Sequence, residues 1–578
     1  MVQTSDSGSS ITMNMGRDLE EQKYVQKKAR HWELVFDQIH VTPEVLNYSY
    51  KGSGTEQDPF VVEYIPGDRR NPLNFTMLTK WTITILLAFA TLAVSFVSSA
   101  YTGGVEEIIE TFNVSSEVIT LGVSLFVLGF AIGPLMWAPL SELYGRQVLF
   151  IGTYAMLTVF NAGAAGAQNI QTLLILRFLA GSFGSSPLTN AGGVIADMFS
   201  AAHRGVAMSI FAVAPFLGPV IGPIVGGFLG ESEGWRWVEG LMAIFTGALW
   251  IIGSLTIPET YSPVILRRRA NKMSSMTGKV YKSKMEVDNG SKSLSAEFKT
   301  ALSRPWILLF TEPIVLLLSL YLAIIYGTLY MMFGAFPIVY QIGRGWSSGI
   351  GGLAFCGVAV GMISAALYSL WDNGRYNATA AKHNNAAPPE ARLPPALIGS
   401  ICLPVGLFWF AWTNSPSIHW IVSIIGTAPF GFGMVLVFLS VMNYLIDAYV
   451  LYAASVLAAS SVLRSLFGAA FPLFTTYMYN NLGIHWASSI PAFLALACVP
   501  FPFFFYKYGA SIRMKCKFAA EAARVLAEIR GASSNEDEAE QAIEDMEERE
   551  ARRPNAHGES QKNEVIKDEE KSEQKTNE

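Results

Sequence analysis

A run of ten residues in the first half of the chain, Gly218-Pro219-Val220-Ile221-Gly222-Pro223-Ile224-Val225-Gly226-Gly227, gives the first indication of fold class. Its glycines recur every four residues, and with Pro215 its prolines do the same, so each set lines one face of a helix. In water, each interior proline would cost about 3 kcal/mol and break the helix. A bilayer offers the backbone no other partners, and neighbouring helices accommodate the kinks. The run therefore predicts a bent transmembrane helix, acting either as plain packing or as a hinge or gate.

The composition of the whole chain indicates a membrane protein. Of 578 residues, 51% are hydrophobic and only 15% are charged, which is too apolar for a soluble globule of this length. Apolar runs near the roughly 20 residues that cross a bilayer occur twelve times, six on each side of a long polar segment. We therefore predict an all-α polytopic protein with twelve transmembrane helices in two six-helix bundles, 80–257 and 313–506.

The polar segments are interpreted as cytoplasmic. They are an N-terminal tail (1–79), a basic linker (258–312) and an acidic, largely disordered C-terminal tail (507–578). Lysines and arginines concentrate in the loops on the side of the N-terminus, while the opposite loops hold only Arg236 and Arg344. This asymmetry predicts that both termini are cytoplasmic. The sequon at Asn113 then falls outside and is a candidate for glycosylation.

Sequence features of enzymes are missing. The chain has no nucleophile elbow, no phosphate-binding loop and no soluble segment large enough for an ATPase, and its four cysteines follow no metal-binding spacing. We therefore predict a protein that is not an enzyme, with no cofactor, no metal and no nucleic-acid partner. It is expected to work in the lipid bilayer as a monomer and to take its energy from an ion gradient.

Charged residues at one membrane edge form the first candidate site. The loop from Gly133 to Arg146 holds Glu142 and Arg146, and the segment from Trp371 to Arg375 repeats the arrangement in the second half. Asp197 ends the fourth run on the same side, which predicts a latch with Arg146. Glu142 is expected near the N-terminus of the eleventh helix, where the helix dipole favours an acid. A purely structural role for these charges is the alternative.

Two arginines lie inside apolar runs, Arg177 in the fourth and Arg464 in the eleventh. Because an arginine at the bilayer centre costs about 2.5–3.5 kcal/mol on insertion scales, both are expected to face a cavity or a partner. The alternative for Arg177 is a snorkelling anchor. Arginine does not release its proton in proteins, so another group must carry a coupled proton. The candidate carboxylates at the membrane edge are Asp197, Glu239, Glu312 and Asp447.

Aromatic residues of the seventh and eleventh helices are candidates for a substrate cavity. The spacing of those in the seventh helix places many of them on one face. They fit either packing or a broad apolar surface for flat organic molecules and some cations. The candidate cavity residues are Tyr326, Tyr330, Phe333, Phe336, Phe467 and Phe471.

Several of these motifs together resemble the major facilitator superfamily, and within it the fungal twelve-helix drug:proton antiporters. The segment Gly133 to Arg146 is similar to the loop signature of the superfamily, Arg177 and Gly181 to its fourth-helix motif, and the opening Gly-Pro run to its antiporter motif. The resemblance covers about residues 58 to 510. It implies two bundles that rock around a central site, a proton gradient as energy source, and a role for Arg177 in tuning or relaying the proton. Further matches are Asp68 to Phe75, Trp235 to Glu239, Pro258 to Tyr261, Glu312 to Val315, Asn443 to Asp447, Leu463 to Ser465 and Phe471 to Leu473.

We therefore predict a proton-coupled antiporter that exports small organic compounds across the plasma membrane by alternating access. Export of one secondary metabolite or polyamine, import, and a non-transporting membrane sensor remain alternatives. In this interpretation, Arg464 and Asp447 join the gating residues. The glycine face of Gly218–Gly227 is expected to pack against the second bundle, closing the outer side while the cavity faces inward.

Overall fold

The computed structural model describes residues 30–199, 201–289, 294–382 and 387–525, which are mostly helical. The start of the predicted N-terminal tail and most of the predicted acidic tail lie outside these residues. Residues 517–525 form a helical segment at the start of a second unit, Lys517–Glu578. All that follows concerns the first unit, which ends at Cys516.

Twelve long helices of the described residues are assigned as membrane crossings. In the described part of the chain, ten helical segments are long and apolar enough to do so. One of these, Val450–Lys515, is 66 residues long and is divided into two passes at Gly483, and Ile170–Met198 adds another. In chain order they are α1 (Met77–Ala100), α2 (Ser116–Tyr144), α3 (Arg146–Ala165), α4 (Ile170–Met198), α5 (Ala201–Glu233), α6 (Trp235–Thr256), α7 (Pro313–Phe336), α8 (Phe355–Lys382), α9 (Pro394–Thr413), α10 (Trp420–Ala448), α11 (453–482) and α12 (484–498).

The chain reverses direction between α11 and α12. At Gly483, φ is +73° inside the continuous helical segment Ala453–Cys498, a conformation that glycine adopts without a steric penalty. The hydroxyl of Tyr479 lies 2.7 Å from that of Ser488, nine residues later. A straight helix would separate these residues by about 13 Å along its axis. The two halves of this segment therefore fold back on each other as separate passes.

The twelve helices form the two predicted bundles. In the first half, α1 packs against α5, α2 against α4, and α3 against α4 and α6; in the second half, α7 packs against α11, and α10 against α8 and α9. The bundles meet where α2 contacts α11 and where α5 contacts α8. The predicted fold class is confirmed.

Helix α5 carries the Gly-Pro run and stays helical across Pro215, Pro219 and Pro223, as the sequence predicts. The prediction that its glycine face packs against the second bundle is wrong. Gly218, Gly222 and Gly226 lie against α1, and a Cβ on Gly226 would overlap the carbonyl oxygen of Ala100. The reason is that α1 presents a matching groove of small side chains, including Ser95 and Ser99.

Gly227 and Pro223 face the second bundle instead. A Cβ on Gly227 would lie 2.7 Å from the carbonyl oxygen of Ser348, and a Cβ on Gly352 would lie 2.5 Å from that of Pro223. One residue turns a helix by about 100°, so Gly226 and Gly227 point to different partners. The contact between the bundles therefore runs along a neighbouring face of α5.

The N-terminal segment and the linker fold together. We call residues 30–76 and 259–289 the linker domain. Strand β1 (Phe60–Val62) pairs in parallel with β2 (Tyr281–Ser283), with Phe60 opposite Tyr281. Its core consists of Val45, Tyr50, Val62, Ile65, Ala270, Met273 and Tyr281. Burial raises the pKa of the Tyr50 hydroxyl, which donates a hydrogen bond to the Val45 carbonyl.

Short elements complete the described structure. In and after the linker domain they are His31–Phe36, Pro43–Leu46, Pro72–Asn74, Ser262–Thr277, Lys284–Asn289 and Leu294–Thr311. Between and after the spanning helices they are Tyr101–Gly104, Val105–Phe112, Pro337–Ile342, Ser348–Gly352, Pro389–Arg392, Val450–Tyr452 and Pro500–Lys515.

A buried ion pair joins the two segments of the linker domain. Arg269 Nη1 donates to Asp68 Oδ2 at 2.6 Å, and both side chains are buried. Asp68 Oδ1 also accepts from the backbone amide of Arg70 at 2.9 Å. The pair therefore fixes the N-terminal segment to the first helix of the linker.

Replacing Asp68 by alanine is expected to destabilise the linker domain, because Arg269 would stay buried without a counter-charge. Removing one partner of a buried pair typically costs about 3–5 kcal/mol. Limited proteolysis of the purified protein checks this, with earlier cleavage expected within the linker domain. Glu63→Ala is the matched control, because its pair with Lys284 is exposed and such pairs contribute about 0–1 kcal/mol. Equal cleavage rates for the two variants would contradict the assigned role.

Candidate functional site

The loop between α2 and α3 is held by side chains from several helices. Arg146, the first residue of α3, lies with Nε 3.6 Å from Asp197 Oδ2 at the end of α4. Its Nη1 donates to Ser141 Oγ at 2.5 Å and to Asn190 Oδ1 at 3.3 Å. Its guanidinium also lies 4.9 Å from the ring centroid of Tyr261. The structure thus brings Arg146 and Asp197 together, while their action as a latch stays a prediction.

Glu259 completes this loop, a role that sequence reasoning missed. Its buried carboxylate accepts hydrogen bonds from the backbone amides of Arg146 (2.8 Å) and Gln147 (3.3 Å), which begin α3 and have no partner within the helix. Gly145 has φ +102°, and a side chain there would overlap the carboxylate. The glycine turn and the acid after α6 therefore fit each other, although 113 residues separate Glu259 from Arg146.

The second half repeats this arrangement. Asp447, in the last turn of α10, pairs with Arg392 Nε at 2.9 Å, as Asp197 at the end of α4 pairs with Arg146. In each half the acid lies at the end of the fourth helix. The arginine begins the third helix in the first half and lies in the connection between the second and third helices in the second half. Glu142 lies exposed in the last turn of α2.

Arg177 lies inside the first bundle and is 0% exposed, so it does not snorkel to the lipid surface. Its Nη1, Nη2 and Nε donate to the carbonyl oxygens of Val97 (3.0 Å), Ser98 (3.3 Å) and Gly122 (3.3 Å). Its guanidinium carbon lies 4.7 Å from the ring centroid of Tyr101 and 4.6 Å from that of Phe126. Main-chain oxygens and aromatic faces therefore take the place of water around this cation.

Glu239 is the acid closest to Arg177. Sequence analysis places it at the membrane edge, but the structure buries it in the first bundle with 1% exposure, and Oε1 lies 3.9 Å from Arg177 Nη1. Neither carboxylate oxygen has a hydrogen-bond partner among the described residues. Glu239 is the fifth residue of α6, so position along the chain suggested an exposed end. The helix Val105–Phe112 contacts α6, and its Glu107 accepts the backbone amide of Trp235 at the start of α6.

Tyr330 connects α7 to the first bundle. Its hydroxyl lies 2.8 Å from the Ser98 hydroxyl of α1 and accepts a hydrogen bond from Tyr326 at 3.4 Å. Arg464 of α11 lies beside this chain, with its guanidinium carbon 5.0 Å from the ring centroids of both Tyr326 and Phe438. Within the described part of the chain, no acidic side chain pairs with Arg464. The ring of Phe438 meets that of Phe216 from α5 at 4.5 Å.

The other predicted cavity residues divide between packing and lining. The Phe471 ring lies against Gly327 of α7 and 5.5 Å from that of Phe467, within the second bundle. Phe336 packs on Phe355 at 4.5 Å and, with Phe333, also lines a small cavity between the bundles. Sequence spacing could not separate these roles, because all six residues lie on apolar helices.

The structure leaves the predicted sequon accessible. Asn113 is exposed and follows the helix Val105–Phe112 with φ +50°. Its glycosylation stays a prediction.

Two six-helix bundles that meet at an aromatic and hydroxyl-lined interface, with charge pairs at the loops of one side, define a multi-pass membrane transporter. The chain belongs to the major facilitator superfamily, whose family model matches residues 87–472. The resemblance seen in the sequence is thereby confirmed.

Two fungal relatives match nearly the whole chain. The chain is 68% identical over 516 residues to the MFS-type efflux pump MFS2 of Trichophyton rubrum, covering 89% of this chain and 87% of the relative. It is 67% identical over 495 residues to the major facilitator superfamily multidrug transporter mdrA of Aspergillus fumigatus, covering 86% and 82%. The proton:xylose symporter XylE has the same fold, with a TM-score of 0.54 and 16% identity over 75% of this chain and 96% of XylE.

Proposed function

We propose that this transporter is a proton-coupled antiporter that exports small organic compounds from the cytoplasm across the plasma membrane. The proposal rests on the sequence similarity, over nearly the full length of the chain, to two fungal proteins named as an efflux pump and a multidrug transporter. Identity of 68% and 67% over most of both chains supports the same direction of transport.

The interface between the bundles supports a class of substrate. Tyr326, Tyr330 and Phe333 supply aromatic faces with two hydroxyl groups, and Arg464 supplies a positive charge beside them. Flat organic molecules bind well to such surfaces, and hydroxyl or guanidinium donors fix their orientation. Because Arg464 has no acidic partner among the described residues, neutral or anionic compounds fit this site better than cations.

The charge pairs support alternating access. Both termini and the linker domain are taken as cytoplasmic, so the Arg146–Asp197 and Arg392–Asp447 pairs lie at the inner surface. Arg392 and Asp447 are 25% and 27% exposed, and Arg146 and Asp197 are 12% and 20% exposed. Neither pair is fully removed from water, so each can form and break in a transport cycle. At the opposite side, α5 touches the segment Ser348–Gly352 of the second half, and this contact must open for release.

Efflux measurements in a host that lacks its own exporters test the proposal. Cells carrying the protein are expected to retain less of the uncharged dye Nile red than cells with an empty vector, because inward proton flow drives the dye out. A protonophore, with ATP held constant, is expected to raise retention to the empty-vector level. Efflux that persists under the protonophore would contradict proton coupling, and higher retention than with the empty vector would indicate import. Competition by azoles and polyamines decides whether export is broad or dedicated to one compound.

A further inference from the structure

We propose that Glu239 is the residue that binds the coupling proton, with Arg177 as its fixed counter-charge. This inference rests on the proposed function, because it names the proton site of the same antiporter. Proton uptake forms one O–H bond on a carboxylate oxygen of Glu239 and removes one negative charge. Release reverses both changes, and no electron is transferred.

Glu239 differs from the other buried acids of the described chain. Each of the others accepts a hydrogen bond. The donors are Arg269 for Asp68, backbone amides for Glu259, the Tyr449 hydroxyl for Glu312 and Arg375 for Asp372. Glu239 alone among these lacks a hydrogen-bond donor on either oxygen. An ionised carboxylate needs hydrogen-bond donors when it is removed from water. The ionised form of Glu239 is therefore less stabilised than those of the other four acids.

The geometry of Arg177 allows Glu239 to change its charge. The two side chains are 3.9 Å apart, which is too far for a good hydrogen bond but close enough for strong attraction in a buried site. The guanidinium is held by three carbonyl oxygens of α1 and α2, independently of Glu239. When Glu239 is ionised, the pair is neutral; when it is protonated, carbonyls and aromatic rings still solvate Arg177. Both states are therefore compatible with the fold.

Few groups compete for this role. Arg177 and the hydroxyl of Tyr101 are the titratable groups that face Glu239 among the described residues. Tyr101 is already engaged, since its hydroxyl donates to the Ile119 carbonyl at 3.3 Å. A proton that reaches this part of the bundle therefore has one available carboxylate to bind.

A short path links the proton site to the interface between the bundles. Arg177 donates to the carbonyl of Ser98, and the hydroxyl of Ser98 bonds to Tyr330 in the second bundle. Ionised Glu239 and the carbonyl oxygens of α1 both attract the guanidinium of Arg177. Protonation of Glu239 removes the first attraction and leaves the second. Ser98 and Tyr330 are thus positioning residues. A change in the charge of Glu239 alters the position of Arg177, and these two residues transmit that change to the interface between the bundles.

Reconstituted full-length protein tests the assignment with Glu239→Gln, which mimics the protonated acid. In proteoliposomes, exchange of the uncharged dye Nile red is measured first without and then with a proton gradient, and Glu239→Gln is compared with its own rate without a gradient. An imposed proton gradient is expected to give no stimulation. Glu239→Asp should restore stimulation with a shifted pH profile. Glu110→Gln is the matched control, because Glu110 is an exposed acid on the same side and its loss should change nothing.

A second measurement does not depend on transport. The infrared difference spectrum of the purified protein between low and high pH should contain a protonated-carboxyl band that Glu239→Gln removes and Glu110→Gln keeps. Full gradient stimulation in Glu239→Gln, or an unchanged band, would overturn the assignment while leaving the antiporter proposal intact. Absence of gradient-driven transport in the wild type would instead overturn the antiporter proposal. The infrared band would then still decide whether Glu239 binds a proton, also if Glu239→Gln is too unstable to transport.

Discussion

Arg177→Ala is expected to abolish gradient-driven transport and to lower the thermal stability of the protein. The substitution removes the donors for the carbonyls of Val97, Ser98 and Gly122 and leaves Glu239 without its counter-charge. Breaking a buried ion pair in this way typically costs about 3–5 kcal/mol. Surface expression, dye efflux in cells and thermal unfolding in detergent check the three parts of this expectation. Wild-type efflux in Arg177→Ala at normal expression would exclude a coupling role.

Arg177→Lys is expected to restore little transport, because a lysine offers its donors from a single atom and cannot match three carbonyls on two helices.

A double substitution separates the structural role of Arg177 from its coupling role. Arg177→Met with Glu239→Gln removes both charges, so its unfolding temperature should exceed that of Arg177→Met alone. Gradient-driven transport should remain absent in the double variant, since no group is left to bind the proton. Recovery of gradient-driven efflux in the double variant would show that the pair serves packing only.

The sequence predicts the number of spanning helices and their division into halves, because the cost of polar groups in lipid applies to every residue of a span. It also identifies Arg177 and Asp197, because a charge in or beside an apolar run needs a partner. The burial of Glu239 could not be predicted in this way. Glu239 lies beside Arg177 of α4 and near Tyr101, and no local pattern in α6 indicates these neighbours.

The linker domain shows a second limit of sequence reasoning. Its strands are three residues long, which is too short for a period of two to stand out. Asp68 and Arg269 are 201 positions apart, and no local pattern connects them. The resemblance to the family marks Asp68 and Glu259 as parts of motifs, but only the structure gives each of them a partner.

The glycines of α5 lead to the last prediction, which reverses an expectation from the sequence. Gly222 has α1 as its neighbour, where a Cβ would lie 2.8 Å from the Ala100 nitrogen and 3.0 Å from the Phe96 carbonyl oxygen. Gly222→Leu is therefore expected to damage folding before transport, since backbone atoms cannot move aside as a flexible side chain can. Overpacking a well-packed site costs about 1–3 kcal/mol or more, and lower yield and a lower unfolding temperature should follow.

Gly227→Leu is expected to behave differently, because Gly227 meets Ser348 of the other bundle. Each bundle keeps its internal packing, so the unfolding temperature should stay near that of the wild type. The bulky side chain would hold the bundles apart on that side, and transport should be lost because the cycle cannot close there. Gly152→Leu on α3 is the matched control, since a Cβ at Gly152 meets no atom within 4 Å. Similar unfolding temperatures for Gly222→Leu and Gly227→Leu would contradict the assignment of one face of α5 to packing on α1 and of a neighbouring face to contact with the second bundle.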